Sequence, residues 1–110
     1  MINVLSALSW ASFGRGYEIS KAAAWSATNA LRLALRDQGT IATALHVGYM
    51  DTDMTAGLHA PKADTRNIAG QTAEAIIAGD FEILADTTSR SVKSQLSQDL
   101  TALYTQRAAA

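Results

Sequence analysis

Residues 17–38 form an alanine-rich helical stretch held between two short apolar runs, and that order leaves few folds open. The first run, Ile2-Asn3-Val4-Leu5-Ser6-Ala7-Leu8, has β-branched members and no alternation of apolar with polar residues, so it predicts a strand buried on both faces. Residues 40–47 make the second strand. Two strands joined by a helix pair in parallel, because a parallel return needs a crossover, and the crossover is right-handed. The fold class expected is therefore α/β. Gly39 reads as the residue that closes the helix. Ala23, Ala27, Ala30 and Ala34, with Trp25, Leu31 and Leu35, place small or apolar groups nearly all round it. Such a helix is expected to be covered on two sides, by the sheet and by another helix or subunit.

An irregular stretch follows at residues 48–62 and holds the single proline, Pro61. The pattern then predicts a helix over 65–78, capped by Asp64 and ended by Gly79, a third strand at Phe81-Glu82-Ile83-Leu84-Ala85, and an amphipathic helix over 88–96. Three strands make a thin sheet. With no internal repeat or linker, the chain reads as one partial domain over residues 1–97, and residues 98–110 read as a weakly ordered tail.

Composition narrows the function. The 110 residues carry a formal charge of −1, so no global positive field gathers phosphate backbones or anionic lipid, and nucleic acid is not an expected partner. The absence of cysteine excludes disulfides, thiolate nucleophiles and Cys-based zinc sites, and two isolated histidines do not make a metal cluster. His46, on the apolar second strand, reads as a hydrogen-bonded core residue, and His59 has no partner at ligand spacing. No apolar run approaches the ~20 residues that span a bilayer, and the opening segment has no basic region like that of a secretory signal. A cytoplasmic location is expected.

The chemistry concentrates at the head of the long helix. Tyr17 and Lys21 are one helical turn apart and project from one face. A phenol is ordinarily too weak an acid, near pH ~10, to work at neutral pH unless a cation stabilises its anion, and a lysine can be that cation. Two unit charges ~4 Å apart at an effective dielectric of ~20 attract by about 4 kcal/mol before solvent screening. The same spacing also occurs in ordinary surface pairs with a snorkelling lysine. Ser6 adds context, because ligands of open parallel sheets bind at the C-terminal ends of the strands. A hydroxyl there can donate to a carbonyl oxygen while a tyrosine donates its proton, putting two donors where negative charge develops. Ser9 and Ser12 are rivals in the same loop, and a locally satisfied Ser6 hydroxyl is the plainer alternative. Trp10 and Phe13 could wall a pocket, although packing on the sheet edge is the safer expectation.

The runs Asn3-Val4-Leu5-Ser6, Tyr17-Glu18-Ile19-Ser20-Lys21-Ala22-Ala23 and Val47-Gly48-Tyr49-Met50-Asp51-Thr52 resemble, in order and in context, the second half of a short-chain dehydrogenase/reductase. The resemblance implies a partial Rossmann-like, doubly wound parallel sheet and an NAD(P)-dependent oxidoreductase that interconverts a carbonyl and an alcohol by hydride transfer. It gives Ser6 the task of orienting the substrate carbonyl, Tyr17 that of acid or base, and Lys21 that of supporting the tyrosine and binding the nicotinamide ribose. Gly48, the backbone of Met50 and the side chain of Thr52 match the loop that contacts the cofactor, with Val47 where the family usually has proline. NAD and NADP remain equal candidates.

The family's glycine-rich turn for the pyrophosphate has no counterpart here, since Gly14-Arg15-Gly16 precedes the tyrosine instead of following a first strand. Neither Asn3 nor Asn29 occupies the place of the family's catalytic asparagine. Weak dinucleotide affinity and little autonomous activity are therefore expected, with an inactive truncated fragment or an oligomerisation module as the alternative. The alanine face of the long helix and an uncovered sheet edge predict a homo-oligomer, with Trp25 near the contact.

Overall fold

The computed structural model describes residues 1–101 and 103–104. Strands β1 (Ile2–Val4), β2 (Thr43–His46) and β3 (Glu82–Leu84) form a parallel sheet in the order β1-β2-β3. Helix α1 (Gly16–Ala34) crosses from β1 to β2, α2 (Thr65–Ala78) crosses from β2 to β3, and α3 (Thr87–Gln95) follows β3. The α/β class expected from the order of elements is the one observed.

Alternation along the strands divides the core in two. Leu45, Val47, Ile83 and Ala85 pack with Ile68 and Ala75 of α2 on one face. On the other face Ala7, Trp10 and Ala11 meet Val92 of α3 and Leu103, against half-buried Trp25 of α1 and Leu84. Ala44 pairs with Glu82 and His46 with Leu84, so His46 and Glu82 are diagonal neighbours on this second face.

Several expectations are corrected. β2 is central and buries all four of its residues, whereas β1 lies at the edge with Val4 51% exposed and is not buried on both faces. β1 also ends at Val4 and does not run to residue 8. The Leu5 and Ala7 N–H groups still bond to the Leu45 and Val47 carbonyls at 2.7 and 3.2 Å. The Ser6 hydroxyl, however, accepts the Leu8 N–H at 3.0 Å and the Ser9 hydroxyl accepts the Ser6 N–H at 3.3 Å, which winds Ala7–Ser9 into a 3-10 turn. Local side-chain bonds of this kind compete with a sheet ladder.

Helix α1 stops at Ala34, and a separate 3-10 turn, Arg36–Gln38, leads to Gly39 in the left-handed conformation at φ 77°. Within the chain itself one side of α1 is covered, while Ala23, Ala27, Ala30 and Ala34 are exposed, as are Ile19 at 71% and Leu33 at 69%. The α2 boundaries agree with the sequence reading, and the Asp64 carboxylate accepts the Arg66 N–H at 2.9 Å while Gly79 closes the helix at φ 74°. Helix α3 begins one residue earlier than expected because Asp86 caps it, accepting the Ser89 N–H at 2.9 Å.

Of the segment expected to be weakly ordered, residues 100, 101, 103 and 104 are helical, Leu103 is buried, and the Tyr104 hydroxyl accepts the Ser12 N–H at 3.2 Å. Residue 102 and residues 105–110 lie outside the described residues.

Candidate functional site

The site begins with the way α1 starts. The Glu18 carboxylate turns back to accept the Arg15 N–H at 2.8 Å and the Phe13 N–H at 3.3 Å, and pairs with Arg15 Nε at 3.0 Å. It is buried, which by itself would raise its pKa, but the two backbone donors and the guanidinium outweigh burial and hold it below the ordinary 4.5. This fastening fixes the loop before Tyr17. A glutamate in the first helical turn was the available signal for it.

Tyr17 and Lys21 share a face, with the Lys21 ammonium 5.5 Å from the Tyr17 ring centre. That ammonium donates to the Val4 carbonyl at 3.2 Å, at the C-terminal end of β1. Tyr17 is 43% exposed, and no group among the described residues bonds to its hydroxyl. Ser6, two residues beyond Val4, is buried, and its hydroxyl accepts from Leu8. No acceptor for the Ser6 hydroxyl's own proton is present among the described residues, so it remains able to donate. Of its rivals, Ser9 uses its oxygen to accept the Ser6 N–H, and Ser12 is exposed and accepts the Gly14 N–H at 3.1 Å. The fold thus sets Tyr17 and Lys21 beside the end of β1 that Ser6 follows by two residues.

The loop after β2 is more strongly organised than its sequence indicated. The Gly48 N–H donates to Asp86 Oδ2 at 2.6 Å, and a Cβ on Gly48 would stand 3.0 Å from that oxygen. Asp86 therefore joins the loop to the start of α3. Met50 bridges in parallel to Ala63 through the Asp51 N–H and the Tyr49 carbonyl, at 3.0 and 2.7 Å. The Met50 carbonyl accepts the Thr55 hydroxyl. Thr52 caps the 3-10 turn Asp53–Thr55, its N–H donating to Thr55 Oγ1 at 3.2 Å. An open hollow beside this loop is lined by Asp51, Leu58, His59, Ala60, Lys62 and Asp64, and contains none of Ser6, Tyr17 or Lys21.

Behind Ser6 lies a cluster of polar and aromatic side chains. Glu82 accepts the Trp25 indole N–H at 2.9 Å and the Lys93 ammonium, and faces His46 Nε2 at 3.2 Å. The His46 ring stacks on Trp10 with centroids 3.9 Å apart at 26°, and Trp10 meets Trp25 edge to face at 5.5 Å. Burial would raise the Glu82 pKa, yet the bonds from Lys93 and Trp25 keep it below 4.5. Burial lowers the His46 imidazole below 6.5, assisted by Lys93, and prevails over the opposite pull of the Ser6 carbonyl and Glu82.

His46 is thus the hydrogen-bonded core residue it was expected to be, and Trp10 is core as well, while Phe13 is 52% exposed. Trp25, expected near a subunit contact, is turned inward by its bond to Glu82. Glu82 and Lys93 escaped the sequence reading. A lone charge inside a short apolar strand was the signal for Glu82, and nothing in the sequence marked Lys93.

Among the described residues no group of three or more His, Cys, Asp or Glu is placed to hold a metal ion. No described helix is long and apolar enough to cross a membrane.

The structure is similar to the crystal structure of a short chain dehydrogenase from Burkholderia cenocepacia J2315 in complex with NADP, with a TM-score of 0.86 and 26% sequence identity. The match covers 96% of this chain and 46% of that one, so the chain spans less than half the length of its structural neighbour. No family model and no curated protein matches the sequence. The three parallel strands and helices α1 to α3 of the described residues form a partial Rossmann-like fold of the kind found in a short-chain dehydrogenase.

Proposed function

We propose that residues 1–97 are the catalytic part of an NAD(P)-dependent oxidoreductase that interconverts a carbonyl and an alcohol, acting in the cytoplasm. The likeness to a short chain dehydrogenase in complex with NADP, extending over nearly the whole chain, carries this reading. The placement of Tyr17 and Lys21 beside the strand end that Ser6 follows supports it. Lys21 retains donors beyond the one given to Val4, enough to reach a ribose hydroxyl. The Met50 bridge uses the neighbouring Tyr49 carbonyl and Asp51 N–H, which leaves the Met50 N–H directed away from Ala63 and suited to a carboxamide. Thr52, exposed beside it, completes a donor set that fits a nicotinamide nucleotide, NADP or NAD. The Gly48 N–H is committed to Asp86, so its part is to shape the loop.

When bound, the nicotinamide supplies the hydride. In the reducing direction the Tyr17 phenol passes its proton to the carbonyl oxygen, and the Lys21 ammonium stabilises the phenolate left behind. The Ser6 hydroxyl donates to the same oxygen and fixes the carbonyl's orientation. Weak cofactor affinity makes the expected turnover low, so NADPH and NADH consumption at saturating cofactor, with a panel of aldehydes and ketones, for the protein and for Tyr17→Phe, tests this mechanism. The variant is expected to lose at least ~100-fold in kcat. Turnover indifferent to Tyr17→Phe would overturn the reading.

The exposed α1 face supports a second reading, in which the chain pairs with a second copy. Ile19, Ala23, Ala27, Ala30 and Ala34 fall on one exposed stripe at helical spacing, a surface that lets two helices approach closely. Light scattering over a dilution series is expected to show a homo-oligomer that Ala27→Glu reduces to a smaller species. A compact monomer at every concentration would rule it out. Neither cofactor binding nor turnover, with association intact, would leave the chain an oligomerisation module.

A further inference from the structure

His46 is fully buried, yet both of its ring nitrogens face acceptors. Nε2 lies 3.2 Å from Glu82 Oε2 and Nδ1 lies 3.4 Å from the Ser6 carbonyl oxygen. A carboxylate and a carbonyl can only accept, so each contact needs a proton on the ring nitrogen, and a neutral imidazole carries one. The carboxylate is the stronger acceptor and takes the Nε2–H. That leaves the Nδ1 lone pair against the Ser6 carbonyl, at a distance long for an N–H···O bond. Only the imidazolium can donate to both.

The charged groups that face the ring are Glu82 from β3 and Lys93 from α3. The Ser6 turn contributes an uncharged carbonyl and the stacked Trp10 ring, whose face favours a cation, and α1 contributes the Trp25 indole, bound to Glu82. Lys93 and burial oppose the cation, and the outcome is a lowered imidazole pKa.

We propose that His46 is a proton-sensitive positioning residue for the Ser6 turn: its imidazolium holds the Ser6 carbonyl and Glu82 together, and its neutral form releases the carbonyl. Ser6 is the cap of that turn, so the hold also sets where its hydroxyl points. The consequence for carbonyl reduction rests on the role proposed above for Ser6, but the hold itself does not.

Nuclear magnetic resonance of the labelled chain carrying His59→Gln, which leaves His46 as its single histidine, tests the hold directly. At alkaline pH the ring is expected as the Nε2–H tautomer. On acidification both nitrogens take protons, and the Ser6 carbonyl carbon resonance moves with the same midpoint, below 6.5. A carbonyl resonance flat through that titration, or an Nδ1–H tautomer in the neutral ring, overturns the proposal. His46→Asn keeps a donor near Nδ1 and is expected to fix the resonance at its acid position. His46→Gln keeps one near Nε2 and is expected to fix it at the alkaline position. If either variant fails to fold, the titration of the parent chain still decides. A moving carbonyl with turnover indifferent to Ser6→Ala would refute the role of Ser6 and leave the hold standing. A flat carbonyl with Ser6-dependent turnover would do the reverse.

Discussion

The Lys21 ammonium donates to the Val4 carbonyl at 3.2 Å, so a single side chain ties the helix that carries Tyr17 to the end of β1. Lys21→Met keeps the aliphatic stem and removes the donor. The bond is exposed to solvent, and urea unfolding is expected to show a loss of about 0.5–1 kcal/mol. Cofactor-dependent turnover, measured on the same variant, is expected to fall at least ~100-fold. A stability loss of several kcal/mol with turnover per folded molecule unchanged would make Lys21 a structural residue only.

Glu18 satisfies two backbone N–H groups of the loop that leads into α1. Glu18→Ala leaves both without acceptors and is expected to lower Tm by roughly 10 °C. Hydrogen exchange should localise the effect, with the Phe13 and Arg15 amides losing protection first. Unchanged protection there would show that the carboxylate does not hold the loop.

Glu82 is the common acceptor for Trp25, Lys93 and His46. Removing it as Glu82→Ala leaves the half-buried Trp25 indole N–H and the buried His46 ring without their acceptor, while the Lys93 ammonium, on a side chain 39% exposed, can turn to water. The loss expected in denaturant unfolding is about 1–3 kcal/mol. Glu82→Leu with Lys93→Met, which removes acceptor and cation together, is expected to recover part of that loss. Tryptophan fluorescence should report both changes, because both indoles of the chain belong to this cluster.

Stability is expected to fall on acidification. His46 is held below 6.5, so as pH drops through that value the unfolded chain takes up a proton that the folded chain resists. Glu18 and Glu82, held below 4.5, act in the same direction at lower pH, where protonation again favours the unfolded chain. Stability is therefore full above about pH 6.5 and declines in two stages below it. Urea midpoints from about pH 8 to about pH 3 check this, and His46→Asn should abolish the upper stage. A stability maximum near pH ~5 would contradict it.

Two glycines are expected to respond differently to alanine. Gly79, at φ 74°, has only ordinary contact with Ile41 at 3.7 Å, so Gly79→Ala costs the strain of the left-handed conformation, about 1 kcal/mol, and leaves its neighbours in place. Gly48→Ala brings a methyl to 3.0 Å from Asp86 Oδ2, so the side chain that caps α3 has to give by a few tenths of an ångström. The Ser89 amide is then expected to exchange faster in Gly48→Ala and not in Gly79→Ala.

The sequence by itself determined what local chemistry controls. Asp64 and Gly79 bound α2 where the pattern predicted, and Gly39 takes the left-handed turn. The strand–helix–strand order sufficed for a parallel sheet, and Tyr17 and Lys21 share a face because one helical turn separates them. Tertiary structure decided the rest. That Trp25 turns inward, that His46 and Glu82 share a sheet face and that the Ser6 turn sits against them depend on contacts between residues far apart in the chain. Asn3 bonds to Thr28 across 25 positions and Trp25 to Glu82 across 57. Strand register and helix rotation bring such residues together, and strands of three or four residues carry too little pattern to specify either one without their neighbours.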